Sequence, residues 1–371
     1  MMRDAVAPHV TSGEVPCLVA LVARRGDVEV AAIGTGRDTI FRVTSMTKPV
    51  VAVATLILVE EGKIRLDEPV DRLLPELADR KVLRRPDGPI DDTVPAKRPV
   101  TVRDLLTFTF GSGIAFGPLP IAKAMDDLAL GQGIPSPQKS PPPDEWMRRF
   151  GTLPLIHQPG ETWMYNTSAD VLGVLVARAS AKPFETFLHE RIFEPLGMKD
   201  TGFSVPHAKL ARLPASYLAD RETGALTLYD PPDGQWSKPP TFPSGGGGLV
   251  STADDFHAFG RMLLEGGGDV LGRESVAEMT RDQLTAEQKA TRDWIPGWFA
   301  ERSWGFATMV VTGSDESGAP GAFGWDGGLG TSFRVDPHEN AIRILLTQRS
   351  MNPPEVPRVF RDFWRAARHS A

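Results

Sequence analysis

The residues best suited to do chemistry in this sequence are a serine and a lysine three positions apart. Ser45 and Lys48 lie in the segment VTSMTKPV. On a helix this spacing places both side chains on one face, where the lysine amine can accept the proton of the serine hydroxyl. A serine activated in this way is a nucleophile. Composition alone predicts about one such pair in a chain of this length, and Ser136 with Lys139 forms a second.

The surrounding residues distinguish the two pairs. Ser45 precedes the apolar run VAVATLILVEEGKI, which predicts a buried helix over about residues 45–62 with Pro49 in its first turn. Ser45 is then at a helix N-terminus, where backbone N–H groups and the helix dipole favour a developing oxyanion. Ser136 lies among prolines that prevent a helix, so nothing holds Lys139 over it.

The protonation state of Lys48 decides whether the first pair can react. A lysine with an ordinary pKa of about 10.4 is almost fully protonated at pH 7 and is a poor base. Burial or a neighbouring cation lowers that pKa to roughly 7–8, and Lys48 adjoins an apolar helix. Without such a shift, the same two residues are a helix N-cap and a lysine that extends to solvent.

Two later segments carry further candidate groups. Tyr165 lies in WMYNT, just before a predicted helix. Its phenol can pass a proton between nucleophile and leaving group, or it can be a packed ring with a satisfied hydroxyl. In FGWDGGLGTSF, residues 323–333, glycines interrupt a strand pattern. They indicate a close approach by a ligand or another chain segment, or a hairpin turn at Asp326 and Gly327.

In this order, Ser45-x-x-Lys48, Tyr165-Asn166 and a Trp-Asp-Gly at 325–327 resemble the motifs of the serine β-lactamase and penicillin-binding-protein superfamily. The sequence is most similar to the class C β-lactamase-like esterases, the family VIII carboxylesterases. The segments TVRDLLTFT, RIFEPLGMKDTGF and GGGGLVSTADDF also resemble recurring segments of that family. The resemblance covers residues 10–350.

The resemblance implies a role for each motif position. Ser45 is expected to be the acylated nucleophile, and Lys48 and Tyr165 to share general-base and general-acid duty. The backbone N–H groups of Ser45 and Gly328 are expected to form the oxyanion hole. The residues expected to bind substrate come from the second and third motifs: Asn166, Thr167, Trp325, Asp326 and Gly327.

Two positions depart from the family pattern. Thr167 stands where the second motif usually has asparagine, so either Asn166 or Thr167 is expected to contact substrate. Trp325 replaces the lysine of the β-lactamase Lys-Thr-Gly motif, which attracts the carboxylate of penicillins. Losing this cation disfavours anionic β-lactams, and a flat apolar ring suits neutral acyl esters. The same replacement is known among the esterase members.

We therefore predict a serine carboxylesterase that cleaves short-chain esters through an acyl-enzyme on Ser45. Three alternatives remain open. A β-lactamase or D-alanyl peptidase, or an acyltransferase that passes the acyl group to an alcohol, would use the same site. A non-catalytic ligand or peptide binder would keep only the fold.

The order of strand and helix patterns predicts the architecture. The run VPCLVALVARRGDVEVAAIGTG predicts two strands joined at 25–27, and WGFATMVVTG, GAFGWDGG, GTSFRVDP and AIRILLTQ predict strands near the other end. A final amphipathic helix follows. We predict an α/β (α+β), β-lactamase-like fold, with one antiparallel sheet built from both termini, flanked by helices and carrying an inserted mainly helical region.

The predicted domains follow from this order. Residues 1–70 and 290–371 are expected to form a discontinuous α/β sheet domain, and residues 71–289 a mainly helical domain. The active-site cleft is expected between them, walled by the long loops 111–143 and 229–248. Thr101 and Asp104 predict a capping box. Five aromatic residues can line an acyl pocket or belong to the core: Trp236, Phe242, Trp294, Trp298 and Trp304.

Composition limits the other functions. A net charge of −6 gives no support for nucleic-acid binding. The single cysteine, Cys17, excludes an intramolecular disulfide and fits a reducing compartment. Neither a secretory leader nor a run long enough to span a bilayer is evident, so we predict a cytoplasmic protein without membrane contact. The seven histidines are scattered; we predict no metal, no cofactor and a small-molecule ester as partner, with the oligomeric state open.

Overall fold

The computed structural model describes residues 2–131, 133–290, 295–352 and 355–369. The strands are β1 (Leu18–Arg24), β2 (Asp27–Ile33), β3 (Phe41–Arg42), β4 (Lys81–Leu83), β5 (Thr93–Pro95), β6 (Ser216–Ala219), β7 (Leu226–Asp230), β8 (Val250–Ser251), β9 (Arg302–Trp304), β10 (Met309–Val311), β11 (Phe323–Gly327), β12 (Thr331–Asp336) and β13 (Ala341–Thr347). The helices are α1 (Met2–Thr11), α2 (Thr47–Glu60), α3 (Val102–Leu106), α4 (Pro120–Asp127), α5 (Pro143–Gly151), α6 (Thr167–Ser180), α7 (Phe184–Leu188), α8 (Glu194–Leu196), α9 (Ala253–Leu264), α10 (Arg273–Met279), α11 (Ala286–Lys289) and α12 (Arg358–His369).

A seven-stranded antiparallel sheet has the strand order β2-β1-β13-β12-β11-β10-β9. Strand β1 pairs with β13 over its whole length, from Leu18 opposite Thr347 to Arg24 opposite Ala341. The prediction of one antiparallel sheet built from both termini is therefore confirmed. The two strands predicted at the start are also present, joined by a tight turn at Arg25 and Gly26.

The side chains of strand β1 are buried on both faces of the sheet. They alternate between two apolar clusters, as the two-residue period of a strand requires. Leu18 and Val22 pack with the terminal helices α1 and α12, while Val19 and Leu21 face the main core. Each face is thus sealed by helices, and the strand reads as a continuous apolar run.

Helix α2 crosses the main core and is apolar nearly all round. Every residue from Thr47 to Leu58 is buried, which is expected of a helix enclosed by protein. It begins two residues later than predicted, after a separate 3-10 turn over Thr44–Met46. Ser45 therefore lies on this turn, directly before the helix.

Helix α9 shows how closely the intervening region contacts the sheet. Its Gly260 lies against β12, where an added Cβ would be 2.9 Å from the ring of Phe333. Helix α9 falls inside residues 71–289, yet it packs on β12 and β13. The predicted division into two domains remains a prediction.

Other local predictions have mixed outcomes. Helix α1 was not predicted. The run at 304–313 forms the hairpin of β9 and β10 instead of one strand, because Ala307 turns the chain with φ +48°. A hairpin does follow the Trp-Asp-Gly segment, but its turn lies at 328–330, beyond the end of β11. Across the described ranges, no helix combines the length and apolarity needed to cross a membrane.

Candidate active site

Ser45 is presented by a strained turn. The preceding Thr44 has φ +43°, an unusual conformation for a β-branched residue. Thr47 supports it: its hydroxyl donates to the Thr44 carbonyl at 2.6 Å and accepts the N–H of Leu249 at 3.2 Å. Backbone strain of this kind persists only where the surroundings hold it, and it is frequent at active sites.

Lys48 is wholly buried, and its amine lies beside Ser45. The Lys48 Nζ is 2.8 Å from the Ser45 Oγ and donates a second hydrogen bond to the carbonyl of Gly246. Burial lowers the pKa of Lys48 to about 7, and the Asp170 carboxylate opposes that shift. A substantial fraction of the amine is therefore uncharged near neutral pH, with a lone pair that can accept the proton of Ser45.

Tyr165 contacts the same serine from the other side. Its hydroxyl donates to the Ser45 Oγ at 2.9 Å and accepts the indole N–H of Trp325 at 2.7 Å. Because an indole nitrogen can only donate, the phenolic proton points to Ser45. Burial raises the pKa of Tyr165 well above its usual value. The tyrosine thus remains a neutral phenol and can act as a proton donor.

Strand β11 carries the third motif along the edge of the site. Trp325 is 6 % exposed and packs edge-on against Trp304. Both carboxylate oxygens of Asp326 accept from Arg334 at 2.8 Å, in a bidentate pair. Trp325 and Asp326 both line the cleft. Each carboxylate oxygen of Asp326 already accepts a hydrogen bond from Arg334, so the side chain of Asp326 is held by this ion pair.

The two glycines after Asp326 have different surroundings. Gly327 packs against the turn that carries Ser45: an added Cβ would meet the Val43 carbonyl and lie 2.6 Å from the Thr44 Oγ1. A Cβ on Gly328 would meet nothing within 4 Å, and this residue lines the cleft. Close packing at Gly327 therefore brings the Gly328 peptide to the same cleft as Ser45.

The second motif places its two candidate residues differently. Asn166 has φ +84° and lines the cleft just before α6. Thr167, the first residue of α6, is buried and is absent from the cleft wall in the described part of the chain. Of the two, only Asn166 lines the cleft in the described part of the chain.

The cleft above Ser45 has a volume of about 1300 Å³. Both predicted loops contribute to its walls, with Ile114 and Pro135 from the first and Phe242 and Gly247 from the second. Phe242 and Trp298 line it, whereas Trp236 and Trp304 are fully buried core residues. Trp294 lies outside the described residues.

The second serine and lysine pair also lies in the cleft wall. The Ser136 Oγ is 3.3 Å from the Tyr229 hydroxyl. A backbone hydrogen bond of 2.9 Å runs from the Lys139 N–H to the Ser136 carbonyl, but none joins the two side chains in the described structure. Its segment is a turn without a helix. As predicted, only the first pair is organised by a helix.

Two functional candidates were missed in the sequence. Asp170 lies in the first turn of α6, where an acidic residue is ordinarily explained by the helix dipole. Gly246 belongs to the run 245–248, for which a chain of glycines suggests only flexibility. In the structure this run is closely packed, since a Cβ on Gly245 would meet the Ala169 carbonyl. Among the described residues, no group of three or more His, Cys, Asp or Glu side chains could hold a metal ion.

The protein has one antiparallel sheet built from strands near both termini, and a hydrogen-bonded serine, lysine and tyrosine lie next to it. This is the architecture of serine β-lactamases and penicillin-binding proteins. The solved structure of EstCE1, a hydrolase with promiscuous acyltransferase activity, has this fold. It matches with a TM-score of 0.81 at 21% sequence identity, over 99% of this chain and 97% of its own. The model of the Beta-lactamase family matches residues 2–365, and the chain belongs to that family.

Two relatives place the chain within the family. An uncharacterized protein of Mycobacterium tuberculosis is 40% identical over 332 residues, which cover 86% of this chain and 79% of the relative. Esterase EstB of Burkholderia gladioli is 32% identical over 357 residues, covering 89% of this chain and 85% of EstB. The predicted resemblance to the esterase-type branch of the β-lactamase fold is confirmed.

Proposed function

We propose that this protein is a serine carboxylesterase that cleaves short-chain esters through an acyl-enzyme on Ser45. The observation that carries the proposal is the pair of hydrogen bonds at one oxygen. The Ser45 Oγ is bonded to Lys48 at 2.8 Å and to Tyr165 at 2.9 Å. One partner can take a proton and the other can donate one, which is what acyl transfer requires.

Acylation follows from these contacts. The Ser45 Oγ attacks the ester carbonyl carbon while its proton passes to the uncharged amine of Lys48. The negative charge that develops on the carbonyl oxygen is stabilised by the backbone N–H groups of Ser45 and Gly328. When the carbon–oxygen bond of the alcohol breaks, Tyr165 donates its proton to the leaving oxygen. The ammonium of Lys48 then returns a proton to Tyr165.

Deacylation repeats the steps with water as the nucleophile. Water gives a proton to Tyr165, which passes its own proton to Lys48, and the resulting hydroxide attacks the acyl carbon. When the bond between the acyl carbon and the Ser45 Oγ breaks, the Lys48 ammonium returns the proton to that oxygen. The resting arrangement is restored at the end of each cycle.

The cleft favours neutral esters. Trp325 stands where a β-lactamase has its cationic third-motif residue, and it lies beside Tyr165. Phe242 and Trp298 extend the apolar wall. Uncharged acyl and alcohol groups bury apolar area there without the cost of desolvating a carboxylate. The relative EstB is an esterase, which supports esters as the class of substrate.

Acyl transfer to an alcohol is a second candidate activity. The cleft of about 1300 Å³ exceeds the usual size of a ligand pocket, so it has room for an acyl group and an acceptor alcohol together. EstCE1, which shares the fold, is described as a hydrolase with promiscuous acyltransferase activity. Ester products formed in the presence of added alcohol would support this activity, and free acid alone would exclude it.

The primary test is direct observation of the acyl-enzyme. We expect a pre-steady-state burst with a chromogenic ester and a mass increase equal to one acyl group on Ser45. Ser45→Ala and Lys48→Ala are expected to abolish turnover with the fold intact. Ser136→Ala, which removes the serine of the second Ser-x-x-Lys sequence, is the matched control, and in it the acyl group should still accumulate on Ser45. Normal turnover in Ser45→Ala would exclude the proposed function.

The same acylation experiment separates the remaining alternatives. Incubation with a panel of esters and β-lactams shows which acyl group accumulates on Ser45. Faster turnover of nitrocefin than of esters would favour a β-lactamase. An unreactive Ser45 together with measurable ligand affinity would indicate a non-catalytic binder. We also propose a cytoplasmic location, on the ground of the single cysteine, Cys17; cell fractionation tests it.

A further inference from the structure

A buried carboxyl group lies behind Lys48 and takes no part in the motifs. Asp170 is 7 % exposed. Its Oδ1 accepts the hydroxyl of Ser244 at 2.6 Å and the backbone N–H of Gly246 at 3.0 Å. The Ser244 hydroxyl in turn accepts the N–H of Gly247 at 3.1 Å. The Ser244 proton is therefore directed to Asp170, and the carboxyl oxygen is used only as an acceptor.

Gly246 connects this carboxyl group to Lys48. Its N–H donates to Asp170, and its carbonyl accepts the Lys48 amine. These two hydrogen bonds hold the carboxyl group and the amine against the same residue, so a carboxylate at Asp170 acts on the amine through space as a nearby negative charge. The amine that activates Ser45 is thus linked to Asp170 through one residue.

We propose that Asp170 is a positioning residue for Lys48: it orients the amine through Gly246 and stabilises the ammonium that forms when Lys48 takes the proton of Ser45. This inference rests on the proposed function. The proton transfer itself is between Ser45 and Lys48, and Asp170 neither gains nor loses a bond in it. Its carboxylate supplies charge where the positive charge develops.

The charges around Lys48 support this role. Burial disfavours the ammonium, and Asp170 is the charged group that acts in the opposite direction. Burial also raises the pKa of Asp170, while Ser244, Gly246 and Lys48 act to lower it. On the other side of the site, Asp326 acts on Tyr165 and is paired with Arg334. Asp170 is therefore the group placed to stabilise charged Lys48.

The absence of a side chain at Gly246 suits this arrangement. A Cβ on that residue would be 3.1 Å from both carboxyl oxygens of Asp170 and from the Oδ1 of Asn166. Such contacts are tighter than ordinary packing, so a side chain would push the carboxyl group away. The absence of a side chain allows the Gly246 peptide to lie between Asp170 and Lys48.

A second interpretation gives Asp170 only a structural role, as the anchor of the segment 244–247. The two roles predict different pH dependence. A purely structural anchor affects stability, whereas a charge that stabilises the Lys48 ammonium also determines where activity begins as pH rises. Asp170→Asn removes the charge and keeps the shape of the side chain.

The test measures kcat/KM against pH, together with the rate at which a phosphonate ester labels Ser45. In Asp170→Asn the ammonium of Lys48 is less stable, so we expect the acid limb of both profiles to move down by about one pH unit. The weaker base should also lower the plateau of kcat/KM about tenfold. The proposal would be overturned if a folded Asp170→Asn variant kept the wild-type acid limb in both pH profiles and the wild-type plateau of kcat/KM.

Asp255→Asn is the matched control. Asp255 is another buried aspartate that accepts a backbone N–H, from Asp200, and a hydroxyl, from Thr201, both at 2.8 Å. It is expected to lose stability without a shift of either limb. A shift equal to that of Asp170→Asn would show a general effect of removing a buried charge and would overturn the proposal.

Ser244→Ala provides a second variant in case Asp170→Asn does not fold. It removes one of the two donors that hold Asp170, and we expect kcat/KM to fall about fivefold with unchanged circular dichroism. Unchanged kcat/KM would contradict the proposal. A wild-type protein that shows no labelling of Ser45 would instead exclude the proposed function, so the two failures are distinguishable.

Discussion

The indole N–H of Trp325 donates to the phenolic oxygen of Tyr165 at 2.7 Å. This contact gives Trp325 a role that its apolar ring alone does not explain. It orients the Tyr165 hydroxyl, whose proton is then directed to Ser45. The residue that replaces the third-motif lysine of β-lactamases thus lacks the positive charge but retains a hydrogen-bond donor.

Trp325→Phe is expected to lower kcat about fivefold, because one hydrogen bond contributes about 1 kcal/mol and Tyr165 loses its fixed orientation. KM should change less than kcat. Trp304→Phe is the control, because the buried Trp304 indole nitrogen has no hydrogen-bond partner among the described residues. That variant loses packing but no hydrogen bond, so its stability is expected to fall and its kcat to persist. Equal kcat losses in both variants would contradict the role of the Trp325 N–H.

Tyr165→Phe is expected to reduce acylation about 100-fold or more, since general acid catalysis typically contributes 10²–10⁴. The loss should depend on the leaving group. Alkyl esters, which release a basic alkoxide, should be affected more than nitrophenyl esters, which release a stable phenolate. Stopped-flow acylation rates with both ester types measure this difference. Equal losses for the two types would show that Tyr165 does not protonate the leaving group.

The activity is expected to rise with pH through about 7 and then remain level. Burial lowers the pKa of Lys48 to about 7, and the uncharged form, which acts as the base, is populated above that value. Burial raises the pKa of Tyr165 above its usual value, so the phenol keeps its proton and no loss is expected at moderately alkaline pH. A profile of kcat/KM from pH 5 to 9.5 tests this. Activity that is low at pH 7 and still rising at pH 9.5 would indicate a lysine with an ordinary pKa.

Gly327→Ala is expected to destabilise the protein by about 3 kcal/mol, within the usual cost of overpacking. Its Cβ would meet the Val43 carbonyl and Thr44 on the turn that carries Ser45. Activity should fall as well, because strand β11 would move away from that turn. Gly328→Ala is the control for stability, since its Cβ has nothing within 4 Å. Urea unfolding of both variants measures the difference; equal stability would contradict the close approach.

The features that could be predicted from the sequence are those with local signals. The pair Ser45 and Lys48 was recognisable because an apolar helix follows it. The capping box of Thr101 and Asp104, confirmed in the structure, is likewise local. The strands near both termini could be predicted because short apolar or alternating runs, bounded by turn residues, can be recognised within a window of a few residues.

The features that could not be predicted depend on distant contacts. The amine of Lys48 donates a hydrogen bond to the carbonyl of Gly246, 198 positions later in the sequence. No local sequence pattern indicates that these two residues are in contact. The later start of α2 follows from the positive φ of Thr44, which the contacts of Thr47 maintain. Asp170 resembled an ordinary helix-start residue until its hydrogen bonds to Ser244 and Gly246 were seen.

The pairing of β1 with β13 has a consequence for biosynthesis. A nascent chain leaves the ribosome with β1 and β2 long before β13 exists, and an exposed strand edge promotes aggregation. Pairing of residues so far apart in sequence also slows folding. Strand β11, which packs against the turn of Ser45, is likewise translated late. The turn of Ser45 therefore gains its contact with Gly327 only after that late strand has been translated.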